Sequence, residues 1–192
     1  YIPIKIVIPE GFTNKQIMGL CIKYLPKCDQ LEFMKLTDNK EGYLFPATYI
    51  LSPNTNTEKF VNKMLDNYSK RTLEIRSKLE GNSLKEYELL ILASIIEREA
   101  GNDEEKPIIA GILLARLSDN VALQVDAPFY YLFQKKSSDL TINDLRIPSP
   151  YNTYINKGLP PTPIGNPGIV SIKSTIEPIK TDYYFYLHGR DG

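Results

Sequence analysis

The sequence has no tryptophan, one histidine and two cysteines among 192 residues. His188 with Cys21 and Cys28 cannot assemble a zinc site of the usual Cys/His kind, so neither a metal centre nor another cofactor is expected. An excess of charge of one sign is also lacking, because 23 Lys and Arg balance 23 Asp and Glu. Proteins that bind nucleic acid ordinarily carry a basic excess that neutralises phosphates, so a nucleic-acid partner is not expected. No run approaches the roughly 20 apolar residues that span a bilayer, and no signal peptide opens the chain. There is no Gly-rich phosphate loop and no Ser or Cys in a nucleophile motif. Internal repeats and low-complexity tracts are absent too.

What remains is a globular composition, 42% hydrophobic and 24% charged, long enough for one domain or one domain with a small appendage. Tyrosine is abundant, at 13 residues, and suits either sugar-binding surfaces or a core. Cys21 and Cys28 form a disulfide if the chain is exported; as cysteines in helical sequence, they are expected here to be two small buried apolar residues. The chain opens directly on a strand, and Gly189-Arg190-Asp191-Gly192 reads as a hairpin turn with no returning strand. Both ends therefore read as cut from a longer protein, and missing targeting signals say little about location.

Ile4-Lys5-Ile6-Val7-Ile8 alternates and is β-branched, which predicts a strand. Thr13 is placed to cap a helix reaching about Leu25, and a second short helix is expected over 30–36. Residues 41–50 are aromatic, punctuated by turn residues and not helical. A long amphipathic helix follows over 57–80, ended by Gly81-Asn82. Ser83 would cap the next, over 84–100, and a third would run from Asn102 or Asp103 to Leu117 with an acidic first turn and Pro107 near its start. A short strand is expected over 122–126, a short helix over 139–145, a helix over 171–176 and a terminal strand over 183–187. Between 147 and 168 the chain is dominated by Pro, Gly, Asn and Tyr, the composition of a functional surface loop.

Chemistry concentrates in Leu92-Ala93-Ser94-Ile95-Ile96-Glu97-Arg98-Glu99. Helical phase puts Glu99 on the stripe of Leu92, Ile95 and Ile96, whereas Arg98 points elsewhere and Glu97 lies on a flank as a solvated or salt-bridged surface carboxylate. A carboxyl among apolar neighbours loses hydration, which should raise its pKa as a general acid requires. Asp126 reads as a second carboxylate or as a group that orders its loop. Glu41 reads as a cleft residue or part of a turn, and Arg116 as the partner of a buried carboxylate or a solvated cation. His188 is expected to be structural or exposed.

Taken in order, these segments resemble the YceG-like family, the endolytic murein transglycosylases. The series is Glu41-Gly42-Tyr43-Leu44-Phe45-Pro46-Ala47-Thr48-Tyr49, the 92–100 helix, Arg116-Leu117, Leu123-Gln124-Val125-Asp126, Tyr151-Asn152-Thr153-Tyr154, Gly158-Leu159-Pro160-Pro161 and Pro163-Ile164-Gly165-Asn166-Pro167-Gly168. It covers about residues 39–188. The family's catalytic glutamate maps to Glu99, in agreement with the helical phase. Two positions depart: the family usually has Asp where Ala47 stands, and a Thr-containing run where this chain has Ala127-Pro128-Phe129. The first removes a local hydrogen bond, and the second reshapes one cleft wall.

The resemblance implies an α+β fold: a helical catalytic core with short strands and a long Pro/Tyr-rich loop, preceded by a strand–helix element that adjoins a LysM-like module. Residues 1–38 would be that N-terminal subdomain, and 39–192 a catalytic domain truncated at its C-terminus. The implied activity is non-hydrolytic cleavage of the β-1,4 MurNAc–GlcNAc bond inside peptidoglycan strands, leaving 1,6-anhydro ends and terminating nascent strand elongation. Glu99 would be catalytic, with Glu41, Gln124, Asp126, Tyr151, Asn152 and Tyr154 on the substrate or orienting Glu99. Peptidoglycan glycan strands would be the substrate and peptidoglycan synthases the partners. A single N-terminal helix outside this sequence would anchor the protein at the outer face of the cytoplasmic membrane, and the present piece would be soluble. A muramidase-type hydrolase using Asp126 and a non-catalytic peptidoglycan-binding module are the rival readings.

Overall fold

A computed structural model describes residues 2–79, 84–135 and 137–186. Strand β1 (Ile4–Val7) pairs antiparallel with β2 (Thr48–Leu51), Ile4 opposite Leu51 and Val7 opposite Thr48. Period-two alternation turns Ile6, Tyr49 and Leu51 inward and leaves Val7 and Ile50 exposed. Helix α1 (Asn14–Tyr24) begins in a capping box: the Thr13 hydroxyl accepts the Gln16 N–H at 3.2 Å, and Gln16 Oε1 accepts the Thr13 N–H at 2.8 Å. The Asp29 side chain caps α2 (Gln30–Leu36) by accepting the Glu32 N–H, and that of Asn56 caps α3 (Thr57–Ser77) by accepting the Lys59 N–H. The sheet and these three helices enclose a first core of Ile6, Ile17, Leu25, Phe33, Phe60 and Met64.

The second core belongs to α4 (Glu86–Glu99), α5 (Lys106–Ser118), α6 (Ala127–Phe133) and α7 (Ile169–Ile176). Eight consecutive residues of α4, from Leu89 to Ile96, are buried, so this helix is wrapped on every side. Leu92, Ile95, Ile96, Ile109, Leu113, Leu123 and Ile164 fill the interior around it. Phe45, Tyr68, Leu90, Ala93 and Ile172 form the seam between the two cores.

The 147–168 segment carries no helix or strand, yet it is tied down. At Gly165 the chain passes so close to Gly11 that a Cβ would meet the Gly11 carbonyl oxygen at 2.5 Å, so only glycine fits. Asn166, fully buried, then joins three segments: its amide nitrogen donates to Phe12 O and Asn14 Oδ1, and its amide oxygen accepts the Leu44 N–H.

The α+β class, the first strand, α1, α2 and α7 agree with expectation. Several elements differ. Cys21 and Cys28 are joined in a disulfide, with Cα atoms 5.8 Å apart, rather than being separate buried thiols; Cys28 lies in the connector between α1 and α2, not in a helix. Strand β2 replaces part of the irregular 41–50 stretch. Helix α3 ends at Ser77, α4 begins at Glu86 with Lys85 as its N-cap, and α5 begins at Lys106, because Asn102 and Glu105 hydrogen-bond each other in the preceding turn. Residues 122–126 form no strand: Gln124 has φ +52, which breaks an extended run. The helix expected over 139–145 is two 3-10 turns, Ser137–Asp139 and Asp144–Arg146. Residues 183–186 are not a strand. Gly81-Asn82, Ser83, Leu187, His188 and the terminal turn lie outside the described residues. Among the described residues no helix is long and apolar enough to cross a membrane.

Candidate active site

Helix α4 delivers Glu99 as its last residue, one turn beyond the buried Ile95 and Ile96. Its carboxylate is held from two directions. Oε1 accepts the Ala127 N–H, the first of α6, at 3.0 Å; Oε2 accepts the Tyr186 hydroxyl at 2.9 Å. An unsatisfied N–H at a helix start carries partial positive charge, so the carboxylate completes α6 from outside it. Pro128 follows in the first turn, where its missing N–H costs little.

Beside Glu99 lies a second carboxylate with its own tyrosine. Asp126 Oδ1 accepts the Tyr154 hydroxyl at 2.6 Å. Burial, then the Glu99 charge, raises the Tyr186 pKa, and burial, then Asp126, raises that of Tyr154. Both hydroxyls therefore stay protonated and donating. Asp126 directly precedes Ala127, whose N–H holds Glu99, so the two carboxylates belong to one site, and the Glu99 charge adds to the rise of the Tyr154 pKa.

Other sequence candidates have different surroundings. Gln124 Oε1 accepts Arg116 Nη2 at 2.5 Å. Arg116 also donates to the carbonyls of Ala122 and Tyr184, so this buried guanidinium holds the 122–126 stretch and the C-terminal segment together. It is buried rather than solvated, and among the described residues its hydrogen bonds go to carbonyls and the Gln124 amide. Asn152 is buried: its amide nitrogen donates to Leu145 O and Ile147 O, and its oxygen accepts the Tyr154 N–H, so it shapes the loop from inside. The Arg98 guanidinium lies 4.2 Å from the Tyr130 ring centroid and donates to Gly11 O at 3.3 Å.

Glu97 is not the surface carboxylate that its flank position suggests. Its side chain is 8% exposed, ion-paired with Lys106 at 3.1 Å, and Oε2 accepts the Gly168 N–H and the Ser171 hydroxyl. It anchors the start of α7. Glu41 and Tyr151 face a separate cleft. Glu41 Oε1 accepts the Asn14 N–H at 3.0 Å; burial pushes its pKa up to about 7, partly offset by that bond. Tyr186 and the Ala127 N–H were not among the sequence candidates. The backbone donor leaves no signature in residue types, and Tyr186 stands in an alternating aromatic run that resembles a strand.

The YceG-like family model matches residues 2–192. A curated relative from Bacillus subtilis (strain 168), named endolytic murein transglycosylase, is 37% identical over 153 residues, 79% of this chain and 42% of that protein. A relative of the same name from Streptococcus pneumoniae serotype 2 is 34% identical over 152 residues, 77% of this chain and 28% of that protein. The chain thus spans less than half the length of these relatives. A 2.6 Å crystal structure of a yceG-like protein from Listeria monocytogenes matches with a TM-score of 0.88 at 31% identity, covering 98% of this chain and 71% of that one. With residues 2–192 matched by the family model and 98% of its length matched in fold, the chain belongs to the YceG-like family.

Proposed function

We propose that this chain is the catalytic part of an endolytic murein transglycosylase, with Glu99 as its single acid/base. The observation that carries this reading is the Glu99 carboxylate, set at the end of a buried helix between the Ala127 N–H and the Tyr186 hydroxyl. The names of the curated relatives supply the substrate class, the glycan strands of peptidoglycan.

Glu99 in its acid form protonates the oxygen of the β-1,4 bond between N-acetylmuramic acid and N-acetylglucosamine, and that bond breaks. As carboxylate it then takes the proton of the C6 hydroxyl, whose oxygen closes on C1 to give a 1,6-anhydro end. Water does not enter, and no second carboxylate is required, whereas hydrolytic glycosidases ordinarily use two. Asp126 and Tyr154 order the wall beside Glu99, and Tyr186 steadies its second oxygen. Cleavage inside a growing strand would end its elongation, in association with peptidoglycan synthases. The full protein would stand at the outer face of the cytoplasmic membrane, held by an N-terminal helix. The Cys21–Cys28 disulfide suits that side, because cytosolic thiols are kept reduced.

Asp126 supports the alternative of a muramidase-type hydrolase, since it is a second carboxylate in the same site. Mass spectrometry of digested glycan separates the two: anhydro ends from the wild-type chain and none from Glu99→Gln are expected. Reducing-end muramic acid would overturn the lytic reading, and undiminished cleavage by Glu99→Gln would overturn the role of Glu99.

A further inference from the structure

A cleft of about 560 Å³ opens between α1–α2 on one side and α6 with the 151–162 segment on the other. That volume lies in the range of pockets that bury small organic ligands. Lys15 and Met34 line its helical side, Tyr131, Tyr151 and Thr162 the opposite side, and Glu41 also faces it. The Tyr131 and Tyr151 rings stand 5.7 Å apart, tilted by 40°. The Thr162 hydroxyl meets that of Tyr151 at 2.8 Å and donates to Pro163 O at 3.0 Å. Among the described residues both hydrogen bonds to Glu41 end on Oε1.

This lining mixes flat aromatic surface with hydroxyls and a carboxyl. A pyranose matches it, having an apolar C–H face and a rim of hydroxyls that both donate and accept. Its lining holds charges of both signs, Lys15 with Asp38 and Glu41, rather than a cluster of one sign that would select an ion. Its place in the fold gives the ligand a direction. Tyr131 follows Ala127, whose N–H holds Glu99, by four residues on α6, about 6 Å along the helix axis. A linear saccharide at the Glu99 end of α6 thus has the cleft within reach of its next units.

We propose that the cleft is a distal saccharide subsite, which grips the same glycan strand away from the bond that Glu99 cuts and makes longer strands better ligands. The identity of the strand rests on the murein reading of the Glu99 site; the length dependence does not.

The test is calorimetric binding of peptide-free murein fragments of two and of four disaccharides to the Glu99→Gln chain, alone and with Tyr131→Ala or Met34→Asp added. Met34 is exposed, so its replacement leaves folding intact. The longer fragment should bind about tenfold more tightly than the shorter. Either added change should remove most of that gain while shifting the shorter fragment by less than about twofold. Equal affinity for the two lengths, equal losses on both, or competition by free stem peptide for the site would overturn the proposal. A wrong assignment of Glu99 would appear differently, as cleavage of the fragments by the Glu99→Gln chain with the length dependence of binding unchanged.

Discussion

Glu97 and Glu99 stand two residues apart at the end of α4 and are held by different parts of the chain. Two residues turn a helix by about 200°, so Glu97 meets Lys106, Gly168 and Ser171 while Glu99 meets Ala127 and Tyr186. Replacing each therefore does different things. Glu97→Ala leaves the Lys106 charge, 5% exposed, with only the weaker-placed Glu10 and the exposed Asp103, and should cost about 3 kcal/mol of stability. Glu99→Gln should change stability by less than about 1 kcal/mol and abolish cleavage. Urea unfolding beside glycan digestion checks both, and a stable but inactive Glu97→Ala would reverse the assignment.

The Tyr186 hydroxyl donates to Glu99, which makes Tyr186→Phe an informative change. Losing one positioning donor should lower kcat roughly tenfold and leave KM within about twofold. Stability should fall by about 1 kcal/mol. A rise in KM at constant kcat would instead make Tyr186 a substrate contact.

Local chemistry made part of this site legible. The spacing of Leu92, Ile95 and Ile96 sets Glu99 on a different face of α4 from Glu97, the family resemblance singles Glu99 out, and Thr13 and Gln16 announce α1 through their own side chains. Features that depend on a distant partner were not legible. Helix α6 is a short aromatic run whose first N–H is satisfied by Glu99, 28 residues earlier in the chain. Strand β2 exists because β1 lies beside it. The flank that carries Glu97 reads as surface until α5 and α7 cover it, and the left-handed φ of Gln124 ends the strand its neighbours suggest.

Asn166 joins the 147–168 segment to the residues around Phe12 and Leu44 through bonds that no apolar side chain replaces. Asn166→Ala leaves the Leu44 N–H without an acceptor in a buried place and should destabilise the fold by about 3 kcal/mol. Asn166→Asp should not rescue it, because a second carboxylate would face Glu41. Thermal unfolding of the two variants measures both effects; a Tm unchanged in Asn166→Ala would show that the loop is held by other contacts.

The Cys21–Cys28 disulfide closes a short loop between α1 and α2, at a sequence separation of seven. Chain-entropy arguments give a loop of this size about 2 kcal/mol. The Cys21→Ala, Cys28→Ala double variant should unfold at correspondingly lower urea, and reductant should lower the wild-type midpoint while leaving that of the variant unchanged. Reductant that moves both equally would place its effect elsewhere.

The last prediction concerns pH and Glu41, whose carboxyl burial lifts to about 7. The unfolded chain ionises this group near 4.3, so between that value and about 7 the folded state binds the extra proton. Stability contributed by this group is therefore greatest at acid pH and declines as pH rises through the window, by up to about 4 kcal/mol, then levels off. Glu41→Gln cannot titrate and keeps an amide where the carboxyl stood. Its stability relative to wild type should rise steadily from pH 4.5 to pH 7.5 in urea unfolding. A difference that stays flat across that range would mean that Glu41 ionises in the folded protein as it does in water.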